Sequence, residues 1–206
     1  IADAPASAFL TKGDMPLPDA IETDSGELHG AVVVVNPTDR EITDATLVAS
    51  IEGSTTRTKL PKLLPFSSRK VGFKFAVPKE KVGEHFNLSL TLGESSETVT
   101  VRNRKQGQTY KRTFISNIDG SVQYFAVVPQ KTPAPNSALV LTLHGASVEA
   151  IGQADAYAPK DWCTIVAATN RRPYGFDWEE IGRLDALEVL EQAKKLFKPD
   201  PDRIYL

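Results

Sequence analysis

Residues 138–147 read Ala-Leu-Val-Leu-Thr-Leu-His-Gly-Ala-Ser, and the fold class of the second half of the chain turns on them. The run 138–143 is almost uninterrupted Leu and Val, the texture of a strand covered on both faces. His144-Gly145 then ends the apolar run, and Gly145 permits a sharp turn of the backbone. Working outward, a short helical stretch is expected around 148–158 and a second buried strand at 163–168. Within 179–197 the residues Ile181, Leu184, Leu187, Leu190 and Leu196 recur at three- to four-residue spacing and predict an amphipathic helix with that stripe turned inward. Lys194, Lys195 and Lys198 suit the negative pole of that helix, and Pro199 stops it. Arg203-Ile-Tyr-Leu206 opens a third buried strand. Upstream, 110–115 and 122–128 are strand-like and flank Ile118-Asp119-Gly120-Ser121, in which Asp-Gly is a strong hairpin signal. A hairpin followed by strand–helix–strand–helix–strand predicts a sheet whose later strands are parallel.

The first half is written differently. Apolar-alternating runs at 30–35, 45–51, 70–77, 86–92 and 97–101 are separated by turn-forming clusters such as Asn36-Pro37-Thr38-Asp39 and Glu52-Gly53-Ser54. Val71, Phe73, Phe75 and Val77 alternate with Gly72, Lys74 and Ala76, which puts one face in and one out. Short strands at this spacing, with no helical stretch between them, predict an antiparallel β-sandwich over 14–102. The polar segment 103–108 lacks apolar periodicity and is the expected linker. Residues 1–13 are read as an N-terminal extension and 109–206 as the second domain.

Bulk properties exclude more than they identify. A net charge of -2 over 206 residues offers no basic footprint for nucleic acid. No apolar run approaches the roughly 20 residues of a membrane helix. Cys163 is the only cysteine, so it forms no internal disulfide and is read as a core thiol. His29 and His85 show no metal-ligand spacing. No metal site and no cofactor is expected, and no glycine loop for phosphate is present. Asn87-Leu-Ser89 matches a glycosylation sequon and is read as coincidence.

Two resemblances sharpen this picture. Leu139-Val-Leu-Thr-Leu-His-Gly-Ala146, with Asp185, Ala186 and the helix that follows, and then Asp200-Pro-Asp-Arg-Ile-Tyr-Leu206, resembles the α/β-hydrolases. Within them it is most similar to prolyl-oligopeptidase-like and depolymerase-type esterases, in which such a final strand leads into the Gly-x-Ser-x-Gly nucleophile elbow. In the first half, Gly26–Ile42 and the run Leu-Leu-Pro-Phe-Ser-Ser-Arg-Lys-Val at 63–71 look like the Ig-like accessory sandwiches of bacterial surface and secreted proteins. The fold expectation is an Ig-like sandwich followed by the first half of a three-layer α/β/α hydrolase domain with a mostly parallel sheet. The sandwich analogy carries an expectation of export.

The resemblance implies a serine esterase or peptidase, with an ester or peptide as substrate. Acyl transfer passes through a tetrahedral oxyanion, which one backbone N–H beside the nucleophile and a second from the loop after the His-Gly strand stabilise. The resemblance gives that second donor to Ala146, with Ser147 as a further candidate, and makes His144 and Gly145 loop-shaping residues. Ser147 is not the expected nucleophile: Glu149 stands where an elbow needs its second glycine, and no histidine follows His144. Tyr174, Phe176 and Trp178 follow a parallel strand, where α/β sheets bind ligands, and are candidates for a pocket lining or for a packed loop. Asp185 is read as structural.

Nucleophile, acid and base are then expected beyond Leu206, and these 206 residues alone are expected to be inactive. The remainder of the hydrolase domain, on the same protein or on a nicked second chain, is the expected partner. Two other readings compete. In one the chain is a non-catalytic binding or adhesion module with a degenerate hydrolase segment. In the other the sandwich restricts access to the active-site mouth, which is compatible with catalysis.

Overall fold

A computed structural model describes residues 7–51, 53–78, 83–171 and 177–206. The chain divides into two compact units, Ile1–Asn103 with Gly120–Val122, and Arg104–Asp119 with Gln123–Leu206.

The first unit contains eight described strands: β1 (Phe9–Thr11), β2 (Ala20–Ile21), β3 (Glu27–Asn36), β4 (Thr46–Ile51), β5 (Ser54–Lys59), β6 (Ser67–Ala76), β7 (His85–Leu92) and β8 (Ser95–Arg104). They form two sheets, ordered β1-β3-β6 and β2-β8-β7-β4-β5. Pairing is antiparallel from β1 through β3 to β6 and from β5 through β4 and β7 to β8. Side chains from both sheets share one core, with Val32, Val34, Phe73 and Phe75 from one and Leu47, Leu88, Leu90 and Val101 from the other. Alternation places these residues inward and leaves Lys74, Asn87, Thr98 and Thr100 outward. Asp19, 1% exposed, takes a two-pronged bond from Arg102, Nε to Oδ1 at 2.8 Å and Nη2 to Oδ2 at 2.7 Å, so its buried charge is paired.

Three of these strands carry little apolar signal. β1 and β2 are too short for an alternation to show, and β5 reads Ser-Thr-Thr-Arg-Thr-Lys with no residue fully buried. Such a polar strand on a sheet edge avoids offering an apolar template to other chains. Segment 105–108 is a tight turn, with Gln108 N–H donating to Lys105 O at 3.1 Å and Gly107 at φ 83°.

The second unit is a five-stranded mixed sheet. Its elements are β9 (Tyr110–Ile115), β10 (Val122–Val128), β11 (Ala138–Thr142), α1 (Ala150–Asp155), β12 (Cys163–Ala167), α2 (Glu180–Phe197) and β13 (Ile204–Tyr205). The strand order is β13-β11-β12-β10-β9. β12 runs antiparallel to β10 and parallel to β11, and β13 runs parallel to β11. Ala150 and Ala154 of α1 pack on the face carrying Ala126, Val128, Ala138, Cys163, Ile165 and Ala167. Leu141 alternates to the other face and lines a groove there with Ala186, Leu187 and Leu190 of α2. The connection β11–α1–β12 steps to one side of β11 and β12–α2–β13 steps back across it. With right-handed crossovers the two helices fall on opposite faces.

α2 ends in a left-handed Lys198 whose N–H returns to Lys194 O, an αL cap. Its inward stripe differs from the one expected. The buried residues are Gly182, Asp185, Ala186, Val189 and Ala193, whereas Ile181, Leu184, Leu187 and Leu196 are 39–50% exposed. Small side chains let the helix axis approach the sheet closely, and the leucines are turned elsewhere. Periodicity groups residues on a face without stating which face meets the sheet.

Gly182 packs tightly against the loop that follows β12. A Cβ there would lie 2.0 Å from Asn170 Oδ1 and 2.9 Å from its Cγ. Asn170 is 1% exposed and its Nδ2 donates to Asp177 O, so its amide has no room to retreat. Helix propensity alone favours Ala over Gly by about 1 kcal/mol, but overpacking costs about 1–3 kcal/mol. Gly182→Ala is therefore expected to lower the unfolding free energy, against the propensity trend, as read by urea melts.

Candidate functional site

After β11 the chain leaves toward α1, and after β12 it leaves toward α2. Strands whose exits diverge open a crevice at their carboxyl ends, where open α/β sheets bind ligands. The loops at that crevice are 143–149 and 168–179, of which 172–176 lie outside the described residues.

His144 anchors the first loop. It is 2% exposed, its Nε2 lies 3.2 Å from Thr169 O and its Nδ1 lies 3.0 Å from Gly145 O. A neutral ring donates to one of these carbonyls at a time. Trp178 braces the same residue twice. Its indole N–H donates to His144 O at 3.0 Å, and the two rings meet edge to face with centroids 5.1 Å apart. His144 is thus a buried tie, with a backbone carbonyl within reach of each ring nitrogen, that of Thr169 lying on the second loop.

Gly145, Ala146 and Ser147 follow on the exposed side of this tie. Among the described residues the Ala146 N–H has no hydrogen-bond partner, and it lies past the end of β11, outside the sheet ladder. Ser147 stands at φ 64°, a left-handed conformation uncommon for a residue other than glycine.

The second loop repeats the pattern. Asn170 and Arg171 are both at φ 58°, and two consecutive left-handed residues cost about 1–2 kcal/mol each. What holds them is a charge cluster that sequence reading missed. The Arg171 side chain, 8% exposed, reaches Asp119 Oδ2 at 2.8 Å, Glu188 Oε2 at 3.1 Å and the Ser116 hydroxyl. Its Nε lies 3.4 Å from Asp185 Oδ1 without hydrogen-bond alignment, so this contact is coulombic. Glu188 also accepts from the Ser116 hydroxyl at 2.7 Å and from Asn117 N–H at 2.6 Å, which ties the β9–β10 turn to α2. Burial pushes the Asp185 carboxyl above the usual carboxylate range, against the opposing pull of Arg171 and of the Thr169 hydroxyl. The signal available in the sequence was Asp185 itself, an acid on the small-residue stripe of α2.

Of the expected site residues, His144 and Trp178 are in contact, and Gly145, Ala146 and Ser147 follow His144 on the exposed part of the first loop. Tyr174 and Phe176 fall outside the described residues. Trp178 also lines the groove of about 310 Å³ formed with Leu141, Leu143, Leu187, Leu190 and Leu206. Cys163 is buried and unbridged, and burial raises its thiol above the ordinary range, which makes it unreactive. His29 lies opposite Lys74 in the β3–β6 pair, and burial first, then Lys74, holds it below the ordinary imidazole value. Among the described residues no three His, Cys, Asp or Glu side chains converge as metal ligands, and no helix is long and apolar enough to cross a membrane.

The chain matches no protein-family model and no curated protein sequence. Among solved structures it is similar to a thermostable esterase known from its crystal structure, at 14% identity and a TM-score of 0.36, over 98% of this chain and 69% of that one. Similarity at that score carries no argument about function.

Proposed function

We propose that the second unit is the N-terminal half of a serine hydrolase domain of the α/β-hydrolase type, a three-layer α/β/α sheet in the complete protein. Its substrate is an ester or a peptide. The first unit is read as an Ig-like accessory sandwich. The observation that carries the reading is the Ala146 amide, unpartnered among the described residues, on an exposed stretch just after the buried His144. β11 is the third strand and α1 the first helix of this unit, so 143–149 corresponds to the strand–helix loop that supplies one oxyanion donor in such enzymes.

In this mechanism the loop binds no ground-state charge. As the serine oxygen attacks the acyl carbon, negative charge moves onto the carbonyl oxygen. A fixed N–H meets it there without reorganising, which contributes about 2.7–4 kcal/mol per donor. The second donor and the serine come from the turn after β13. Because β13 runs parallel to β11 with Val140 facing Tyr205, a strand continuing past Tyr205 draws level with Leu143 and His144 within three or four residues. That puts the turn beside Ala146.

Uncovered apolar surface supports the same placement. Leu187 on α2 is 49% exposed, and Tyr205 and Trp162, whose rings meet edge to face, are 47% and 49% exposed. Covering each large apolar side chain is worth about 1.5–3 kcal/mol. Further strands and helices along β13 supply that cover.

The test is a fluorophosphonate probe on the full-length protein, followed by peptide mapping. A covalent adduct is expected on a serine in a Gly-x-Ser-x-Gly context within the several residues after Leu206. Absence of any adduct from folded, full-length protein removes the enzyme and leaves the binding-module reading.

A further inference from the structure

We infer that Asp185 is a positioning residue for the oxyanion loop, acting at a distance through Thr169 and His144; this rests on the reading of Ala146 as an oxyanion donor. The contacts form one continuous path. Asp185 is fully buried, and its Oδ2 accepts the Thr169 hydroxyl at 3.3 Å. The same Thr169 oxygen accepts the Arg171 N–H at 3.2 Å, which folds the left-handed pair Asn170–Arg171 back over the carboxylate. That fold aims the Thr169 carbonyl across the crevice at His144 Nε2. His144, clamped from its other side by Trp178, precedes the Gly145–Ala146 peptide by one residue. Setting the carboxylate therefore sets the carbonyl, the carbonyl sets the imidazole, and the imidazole sets where the Ala146 N–H points.

A buried carboxylate is an expensive way to hold a helix against a sheet, because an apolar residue of the same volume would avoid the desolvation. Its presence on the small-residue stripe of α2 is explained if its acceptor oxygens are needed by the 168–171 turn. The path further requires His144 to carry its proton on Nε2, so that the ring donates to Thr169 O.

Two measurements on the full-length protein test this. The first is the acylation rate per titrated active site. Asp185→Ala is expected to lower kcat by up to about 10²-fold with KM nearly unchanged, the scale at which small misplacements act. Asp185→Asn, which keeps an acceptor oxygen, is expected to recover most of it. A merely structural Asp185 would lower the melting temperature and the active fraction while leaving the per-site rate alone, and that result overturns the proposal. Should Asp185→Ala fail to fold, Thr169→Val breaks the same path at the hydroxyl with the carboxylate intact; an unchanged per-site rate there also overturns it. The second measurement needs no catalysis. ¹⁵N spectra of histidine-labelled protein are expected to show His144 protonated at Nε2 in the wild type and redistributed between tautomers in Asp185→Ala. A ring protonated at Nδ1 in the wild type breaks the path outright. Failure of the wild type to take up the fluorophosphonate is a separate result, and removes the hydrolase reading.

Discussion

Ala146→Pro in the full-length protein is expected to reduce kcat about 10²–10³-fold with little change in KM, the usual consequence of removing one oxyanion donor. Proline removes the N–H without breaking a hydrogen bond among the described residues, and Ala146 is exposed, which leaves room for the ring. The residue before it, Gly145, tolerates the restriction that proline places on its neighbour. Ala146→Ser keeps the amide and is expected to stay within a few-fold of wild type, so the pair separates the amide from the side chain. Unchanged melting temperatures for both variants assign the loss to the transition state.

Arg171→Met is expected to cost about 3–5 kcal/mol of stability near neutral pH, because removing one member of a buried ion pair strands the other charge. Arg171 is the cation facing Asp185, which is fully buried, and Glu188, whose side chain is 8% exposed. The pH dependence follows from the raised carboxyl of Asp185. A carboxyl raised in the folded state binds its proton more tightly there than in the unfolded chain. Its contribution to stability is therefore complete below the ordinary carboxylate value and is lost as pH climbs through the raised one. Without the Arg171 charge the raised value climbs further and the window widens. The deficit of Arg171→Met relative to wild type is expected to shrink as pH falls toward about 4, the ordinary carboxylate value, and urea melts across that range read it directly.

Much of the second unit was legible because its strands are apolar on both faces and its helix is long. The run ending at Leu143, the strand at Cys163 and the parallel order all follow from that texture. The face of α2 was not legible. The leucine stripe has the stronger hydrophobic signal, yet Gly182, Ala186 and Ala193 are on the buried face because close approach rewards small side chains more than large ones. Gly182 in the first turn of α2, inside a helix where a glycine is unfavourable by itself, was the available clue. The Arg171 cluster was hidden for a different reason. Asp119 and Arg171 lie in separate loops, far in sequence from Asp185 and Glu188 on α2, and only the meeting of the β9–β10 turn, the loop after β12 and α2 brings the four together. In the first unit β5 escaped notice because an edge strand has no apolar alternation to detect. His144, Gly145 and Ala146 were legible as a loop, but the tie from His144 to Thr169 depends on two consecutive left-handed residues that no composition signals.

The most direct measurement is a crystal structure of the full-length protein carrying a phosphonate adduct. The phosphonyl oxygen is predicted to sit about 2.7–3.1 Å from the Ala146 nitrogen, the donor distance of an oxyanion hole, with His144 still bound to Thr169. An adduct whose oxygen turns away from the 144–147 loop, toward other donors, would contradict the assignment of that loop.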